Sequence, residues 1–364
     1  MKKKICLNMI VKDESAVIRR CLDSVISMID YWVIVDTGSK DGTQKIITEH
    51  LRGIPGELHE RPWVHFGHNR NEAMQLARGK GDFLLFIDAE DRLVFSKDFV
   101  LPPLEADMYS IFQKEGIGGT FREHHVYLLA RNNTDLEWKG PIHEYLACPT
   151  DKRQAMLEGV YCDYINDGSR SKDPKKCEKD IQVLKKAALE NPMDTRSVFY
   201  LARTYWSIRD HENAIFWFRR RVEMGADPLE VYYSLLYIGL GQKAQKKAPE
   251  IFLDSFKKAY LYRPTRTEAI YEMGRYYVEA SEHLLGYAIL RVAREIPHSM
   301  DNLFVETWVN DWGIPLFLFL AALHVRGREE IADLLQDLLE NPTLPENLRK
   351  QYQLERWKDQ LLQA

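Results

Sequence analysis

The chain has 364 residues and a formal net charge of −4, with 45% hydrophobic and 29% charged residues. At roughly 150 residues per domain this length predicts two domains, each able to bury a core without covalent staples, and the charge offers no basic field for a nucleic-acid partner. The five cysteines, Cys6, Cys21, Cys148, Cys162 and Cys177, are odd in number and form no CxxC pair, so neither a disulfide framework nor a structural zinc site is expected.

Three lysines lead into a short apolar run, Ile5 to Val11, with no signal-peptide-like stretch before it. Ser15 to Ile29 follows with helical periodicity, placing Val17, Ile18, Cys21, Leu22, Val25 and Ile29 on one face. Trp32 to Val35 is a β-branched run that ends in the loop Asp36-Thr37-Gly38-Ser39, and Asp41 to Leu51 is again helical. Asn69 to Arg78 predicts a third helix, and Phe83 to Ile87 a short, fully apolar strand. Strands separated by helices imply a parallel sheet covered on both faces. In such a sheet ligands sit at the carboxyl ends of the strands, where the polar loops Asp36–Ser39 and Asp88–Asp91 both fall.

Beyond about residue 170 strand signals give way to amphipathic helices. Val198–Leu201, Val231–Ser234 and Ala269–Glu272 align with one another, and their tyrosines, Tyr200, Tyr233 and Tyr271, stand 33 and 38 positions apart. That spacing is close to the period of about 34 of tetratricopeptide repeats. Leu201-Ala202, Tyr205, Ala214 and Phe218 fit the first copy, Asn191-Pro192 and Arg263-Pro264 mark boundaries, and the second copy carries an insertion near Gln242 to Pro249. Glu329 to Leu339 reads as part of a final capping pair, and the aromatic Leu303–Leu320 region as closing the solenoid or as a surface for the other domain or a second subunit. The longest apolar run, Gly313 to Val325, is too short to span a bilayer. A cytoplasmic protein without a transmembrane segment is expected, with peripheral attachment to the inner face of a membrane left open.

The strand Phe83–Ile87 delivers Asp88, Glu90 and Asp91 into one loop. Clustered carboxylates repel one another and call for a cation or a hydrogen-bond network; hard ions such as Mg²⁺ or Mn²⁺ favour such oxygen ligands.

Five segments together resemble glycosyltransferase family 2, of the GT-A fold. They are Leu7–Glu14, Val33–Thr43, His68–Ala73, Asp88–Asp91 at the place of the family's DXD motif, and Trp138–Glu144, which is similar to a later segment of the subgroup carrying tetratricopeptide repeats. The resemblance implies an α/β architecture: a Rossmann-like GT-A nucleotide-sugar-binding domain over residues 1–165, then an all-α tetratricopeptide-like solenoid over 166–364. It also implies metal-dependent, inverting transfer of a sugar from a UDP-linked donor to a protein, peptide or glycan. By that resemblance Asp36 holds the donor's base, flanked by backbone near Met9–Val11, Arg70 reaches the base or the diphosphate, and Asp88 binds the ribose and the ion. Glu90 takes the second acidic place of the motif, where Asp is usual, so the metal contact falls to Glu90 or Asp91. His143 is the candidate third metal ligand.

An attacking hydroxyl needs a carboxylate base. Glu144, Glu123 and Asp135 lie in the stretch expected to face the acceptor. Glu144 is preferred for its place beside His143, and Asp91 is the other carboxylate assigned to catalysis. Gly116–Thr120, with His124 and His125 after it, reads as a lid or as an ordinary surface loop. The repeats predict either an acceptor-binding surface or a homodimer interface. The rival class is a non-catalytic tetratricopeptide scaffold with a vestigial sugar-nucleotide domain.

Overall fold

The computed structural model describes residues 3–117, 120–132, 135–149 and 151–363, and the side chains of these except 115–117, 120–124 and 361–363. The predicted lid segment, Glu123 and His124 therefore lie, wholly or by their side chains, outside the described residues. The chain divides into two compact units, residues 1–116 with 123–204, and 117–122 with 205–364.

The first unit is built on β1 (Ile5–Val11), α1 (Ile18–Val25), β2 (Tyr31–Asp36), α2 (Thr43–His50), β3 (Gly56–Glu60), α3 (Phe66–Leu76) and β4 (Phe83–Phe86). These are followed by β5 (Arg92–Phe95), β6 (Met108–Ile117), β7 (Thr120–Arg131), β8 (Glu137–Lys139), β9 (Tyr145–Ala147) and β10 (Gln154–Tyr164). One eight-stranded sheet runs in the order β3-β2-β1-β4-β7-β6-β10-β5, and β8 and β9 form a separate ribbon. The β3-β2-β1-β4 half is parallel, with Val11 opposite Asp36 and Asn8 opposite Phe86. β7 pairs antiparallel with β4, which makes the sheet mixed. The chain steps outward from β1 to β2 and β3, then returns through α3 to β4 on the other side of β1. A crevice is expected at such a reversal, at the carboxyl ends of β1 and β4.

Alternation along β1 explains how the sheet is covered. Ile5, Leu7, Met9 and Val11 face α1 and α2 and pack with Ile18, Cys21, Leu22, Val25, Ile47 and Leu51. Cys6 faces the other way, with Val33, Leu84 and Phe86, against Met74 and Ala77 from the end of α3. Each such buried side chain contributes about 1.5–3 kcal/mol. Asn8, on the α3 side, donates to the Ala73 carbonyl at 2.8 Å, so the one polar residue of the strand is satisfied. All five cysteines lie in this unit as free thiols; Cys6, Cys21 and Cys162 are buried.

After β10 a short helical turn, Arg170–Lys172, leads into α4 (Lys176–Glu190) and α5 (Thr195–Ser207). The second unit carries α6 (His211–Met224), α7 (Pro228–Ala244), α8 (Pro249–Tyr262), α9 (Glu268–Glu279), α10 (His283–Arg294), α11 (Ile314–Val325), α12 (Arg328–Glu340), α13 (Glu346–Gln351) and α14 (Leu354–Gln363). The Asp227 carboxylate accepts from the Leu229 and Glu230 backbone N–H groups at the start of α7, with Pro228 in the first turn. Phe317 and Phe319 are buried in this unit's own core with Trp308 and Trp312 packed against it, and Phe304 is buried as well. Two short helices follow α12, so Glu329–Leu339 does not end the array.

Candidate functional site

β1, β2 and β4 end together, and their loops carry the motif residues. Asp36 closes β2 and is fully buried. Its Oδ1 accepts from the backbone N–H groups of Gly38 (2.7 Å) and Ser39 (2.8 Å). That turn requires Gly38 at φ +111°, a conformation open to glycine. The other oxygen, Oδ2, is buried without a hydrogen-bond partner among the described residues. Met9 and Val11 are buried in β1, and the Val11 carbonyl accepts from the Thr37 N–H at 2.9 Å.

Arg70 rises from the first turns of α3 and is buried. Its Nε donates to Glu144 Oε1 and a terminal nitrogen to Asp88 Oδ1, both at 2.6 Å. The guanidinium also lies 4.9 Å from the centre of the Trp138 ring. Burial alone disfavours its charge, but Asp88 and Glu144 outweigh that and hold it firmly cationic. The Asp88 side chain remains 53% exposed, against 10% for Glu144. α3 begins three residues before the helix expected from sequence, because His65 Nδ1 caps it by accepting from the His68 N–H. The helix start lies so close to the β8 turn that a Cβ at Gly67 would stand 2.5 Å from the Gly140 carbonyl.

The three carboxylates of the acidic loop diverge. Asp88 faces solvent beside Arg70. Glu90 turns to the segment after β10, where its Oε2 accepts from the Gly168 N–H and from Ser171 Oγ at 3.2 Å. Glu14 reaches the same segment and accepts from the Ser169 N–H at 3.2 Å. Burial pushes the Glu14 carboxyl up to about 7; the Ser169 N–H opposes this and the charges of Glu90, Asp88 and Asp41 add to it. Arg20 ties that segment down, with two bonds to Asp167 at 2.9 and 2.6 Å and one to the Glu90 carbonyl at 2.7 Å.

Asp91 is buried and turned into the sheet, where its Oδ2 accepts from Gln113 Nε2 at 3.1 Å. Among the described residues its Oδ1 has no hydrogen bond of ordinary geometry, and Cys162 is the nearby side chain that interacts with this carboxylate. Burial, with the charges of Asp88 and Glu90, raises its pKa well above the carboxylate range. Among the described residues no group of three or more His, Cys, Asp or Glu side chains is arranged to hold a metal ion.

His143 directly precedes Glu144 but faces elsewhere. Its ring stacks on Tyr200, with centroids 4.0 Å apart and planes 12° from parallel, and its carbonyl accepts from Arg196 Nε at 2.8 Å. The residue is exposed by its surface area; desolvation, and then the charges of Arg203, Arg170, Arg196 and Lys176, lower its pKa below the usual histidine range. Asp135 is exposed, and the His125 ring packs edge-on to Phe112. Sequence reasoning missed Glu14, Arg20 and the 167–171 segment as neighbours of the acidic loop; that juxtaposition exists only once β10 has joined the sheet.

In the second unit two adjoining grooves of about 620 and 770 Å³ share Arg219, Glu223, Gln242 and Ile251. None of the motif residues borders them.

Residues 6–104 match the model of glycosyl transferase family 2. A TPR repeat-containing protein of Synechococcus elongatus is 32% identical over 146 residues, covering 39% of this chain and 35% of that relative, so the match spans about a third of the relative's length. Among solved structures, MamA aligns at 17% identity and a TM-score of 0.38, over 49% of this chain and 95% of its own. A thermophilic TPR protein of Thermus thermophilus aligns at 18% identity and a TM-score of 0.34, over 52% of this chain and 92% of its own. Residues 6–104 are thus similar to glycosyl transferase family 2.

Proposed function

We propose that this chain transfers a sugar, with inversion at the anomeric carbon, from a UDP-linked donor to a nucleophile on a protein, peptide or glycan. The observation that carries this reading is Arg70, a buried guanidinium bonded to both Asp88 and Glu144. It joins a carboxylate at the carboxyl end of β4, the donor side, to a second one suited to receive a proton.

Donor recognition is assigned to Asp36. Its Oδ1 is engaged by its own turn, and its Oδ2 is a buried acceptor with no donor among the described residues. An acceptor in that state gains most from an N–H group, and the ring N–H of uracil is such a group, with the Met9–Val11 backbone beside it. A divalent ion suits the oxygen-only donor set, since Mg²⁺ is commonly held by one or two carboxylates and completed by substrate phosphates. Asp88, exposed and with Oδ2 unengaged among the described residues, and Glu90 would hold Mn²⁺ or Mg²⁺. Such an ion supplies Lewis-acid neutralisation of charge on the leaving diphosphate. Asp91, buried and turned into the sheet, supports the loop from within, and His143, surrounded by cations, is left outside the metal set.

Glu144, held through Oε1, keeps Oε2 to accept a proton from the attacking hydroxyl. Arg70 fixes its orientation. Calorimetry tests the reading: UDP is expected to bind in the presence of Mn²⁺, and Asp88→Ala to weaken that binding at least tenfold with an unchanged melting temperature. Absence of UDP binding to the unaltered chain, with and without Mn²⁺, removes the transferase and leaves a scaffold.

A further inference from the structure

His143 lies at the centre of a cationic surface that neither the donor site nor the acidic loop uses. Arg196 is 4.9 Å from the ring centres of both Tyr145 and Tyr200, and Arg203 is 5.3 Å from that of Tyr200. Arg170 stands 4.7 Å over Phe66. Together with Lys176, all three arginines are near enough to the imidazole to oppose its protonation. Negative charge nearby is largely committed: Asp180 pairs with Arg170, and Glu144 with Arg70. Arg196 has no carboxylate partner among the described residues and donates to neutral groups, the His143 carbonyl and the Tyr200 hydroxyl.

The surface is held in shape. His143 has a left-handed backbone, φ +51°, its carbonyl is held by Arg196 and its ring by Tyr200. A further cation is repelled there and an anion attracted, and forked guanidinium groups suit the oxygens of a phosphate. His143 and Glu144 are consecutive, with Cα atoms roughly 3.8 Å apart, so the backbone of this surface runs directly into Glu144, the proposed base, although the two side chains face different ways. His143, Lys176, Arg196, Tyr200 and Arg203 all lie beyond the family-matched residues 6–104, whereas the donor contacts lie within them.

We propose that His143, Tyr200, Lys176, Arg196 and Arg203 form a subsite for a phosphate-type anion carried by the acceptor. The assignment to the acceptor rests on the transferase reading with Glu144 as base; the anion site itself does not. It makes the acceptor a phosphate-bearing molecule whose negative charge is anchored beside the attacking nucleophile.

The test is calorimetry on the full chain with inorganic phosphate and, separately, with UDP and Mn²⁺. The same titrations are run on the Arg196→Gln, Arg203→Gln double variant and on Arg196→Lys. Phosphate is expected to bind the unaltered chain, to bind the double variant at least tenfold more weakly, and to bind Arg196→Lys with intermediate affinity, while UDP affinity stays within twofold throughout. The His143 ring resonances provide a second readout on the unaltered protein should the double variant fail to fold, and they are expected to move on addition of phosphate.

A chain that binds UDP yet shows neither heat nor a His143 shift with phosphate overturns the subsite. A parallel loss of UDP and phosphate affinity overturns the acceptor assignment, because the cluster then serves the donor's diphosphate. Arginine-dependent phosphate binding in a chain that does not bind UDP upholds the anion site and sinks the transferase reading instead.

Discussion

Asp36 separates folding from recognition within one side chain. Oδ1 shapes the turn after β2, while Oδ2 is buried and unengaged among the described residues. Asp36→Asn keeps an oxygen for the turn and replaces the second oxygen with an amide that repels a ring N–H. The melting temperature is expected to hold within a few degrees while UDP affinity falls about tenfold or more, since hydrogen bonds to charged groups contribute about 1.5–3 kcal/mol. Equal UDP affinity in the variant would remove Asp36 from the donor site. The places of Asp36, Arg70, Asp88 and Glu144 in the fold were legible in the sequence because each sits in a short motif at a strand end, a helix start or a turn; the roles given to them stand as proposals. The fates of Glu90 and Asp91 were not. Asp91 is drawn inward by Gln113, on β6, and Glu90 by the 168–171 turn, and no linear pattern announces partners so far along the chain. The cations around His143 were hidden for the same reason, since they come from separate helical segments.

At the scale of elements, β1, α1, β2, α2, α3 and β4 follow the periodicities expected of them, with ends shifted by a few residues. β3 escaped because an outer strand needs little apolar content: Gly-Glu-Leu-His-Glu is only half buried. It is held instead by polar contacts. Lys80 donates to Glu57, the Tyr31 hydroxyl donates to it at 2.7 Å, and His59 lies 3.0 Å from its other oxygen. These contacts, Lys80 first and then Tyr31, lower the Glu57 pKa to about 2 from 4.5. The folded state thus holds the proton less tightly than the unfolded chain, and the stabilisation is complete above the unfolded value. It is lost as pH falls from about 4.5 towards 2. Glu57→Gln is expected to remove part of the acid sensitivity in that window: the variant is less stable than the unaltered protein at pH 7, and the difference closes as pH falls towards 2. Parallel denaturation curves for both proteins from neutral pH to pH 2 would exclude this role. The strands after β4 were illegible for a different reason: β10 mixes exposed and buried residues without strict alternation, so its place in the sheet depends on its neighbours.

At the scale of the whole molecule, the helical unit depends on charge buried inside it. Arg266 is 1% exposed and donates twice to Glu268 Oε1, at 3.1 and 2.5 Å, and to the Leu303 and Phe304 carbonyls. Tyr232 donates to the same Glu268 at 3.0 Å. One guanidinium therefore fastens the aromatic 303–308 segment to the start of α9. Arg266→Met leaves Glu268 buried without its cation, which is expected to cost about 3–5 kcal/mol and to lower the denaturant midpoint of the helical transition. An unchanged midpoint would place the fastening elsewhere. The repeats were recognisable because tyrosines and small residues recur at helical spacing; this fastening was not, because it breaks the repeat. The distribution of sulfur offers a way to observe the units separately. Every cysteine belongs to the first unit, and burial pushes the Cys6 thiol up to about 12 and the Cys21 and Cys162 thiols upward as well. Maleimide added to the native protein is expected to reach Cys148 and Cys177 first. Uptake at the remaining three then times the opening of the first unit alone, while unfolding of residues 205–364 passes unlabelled.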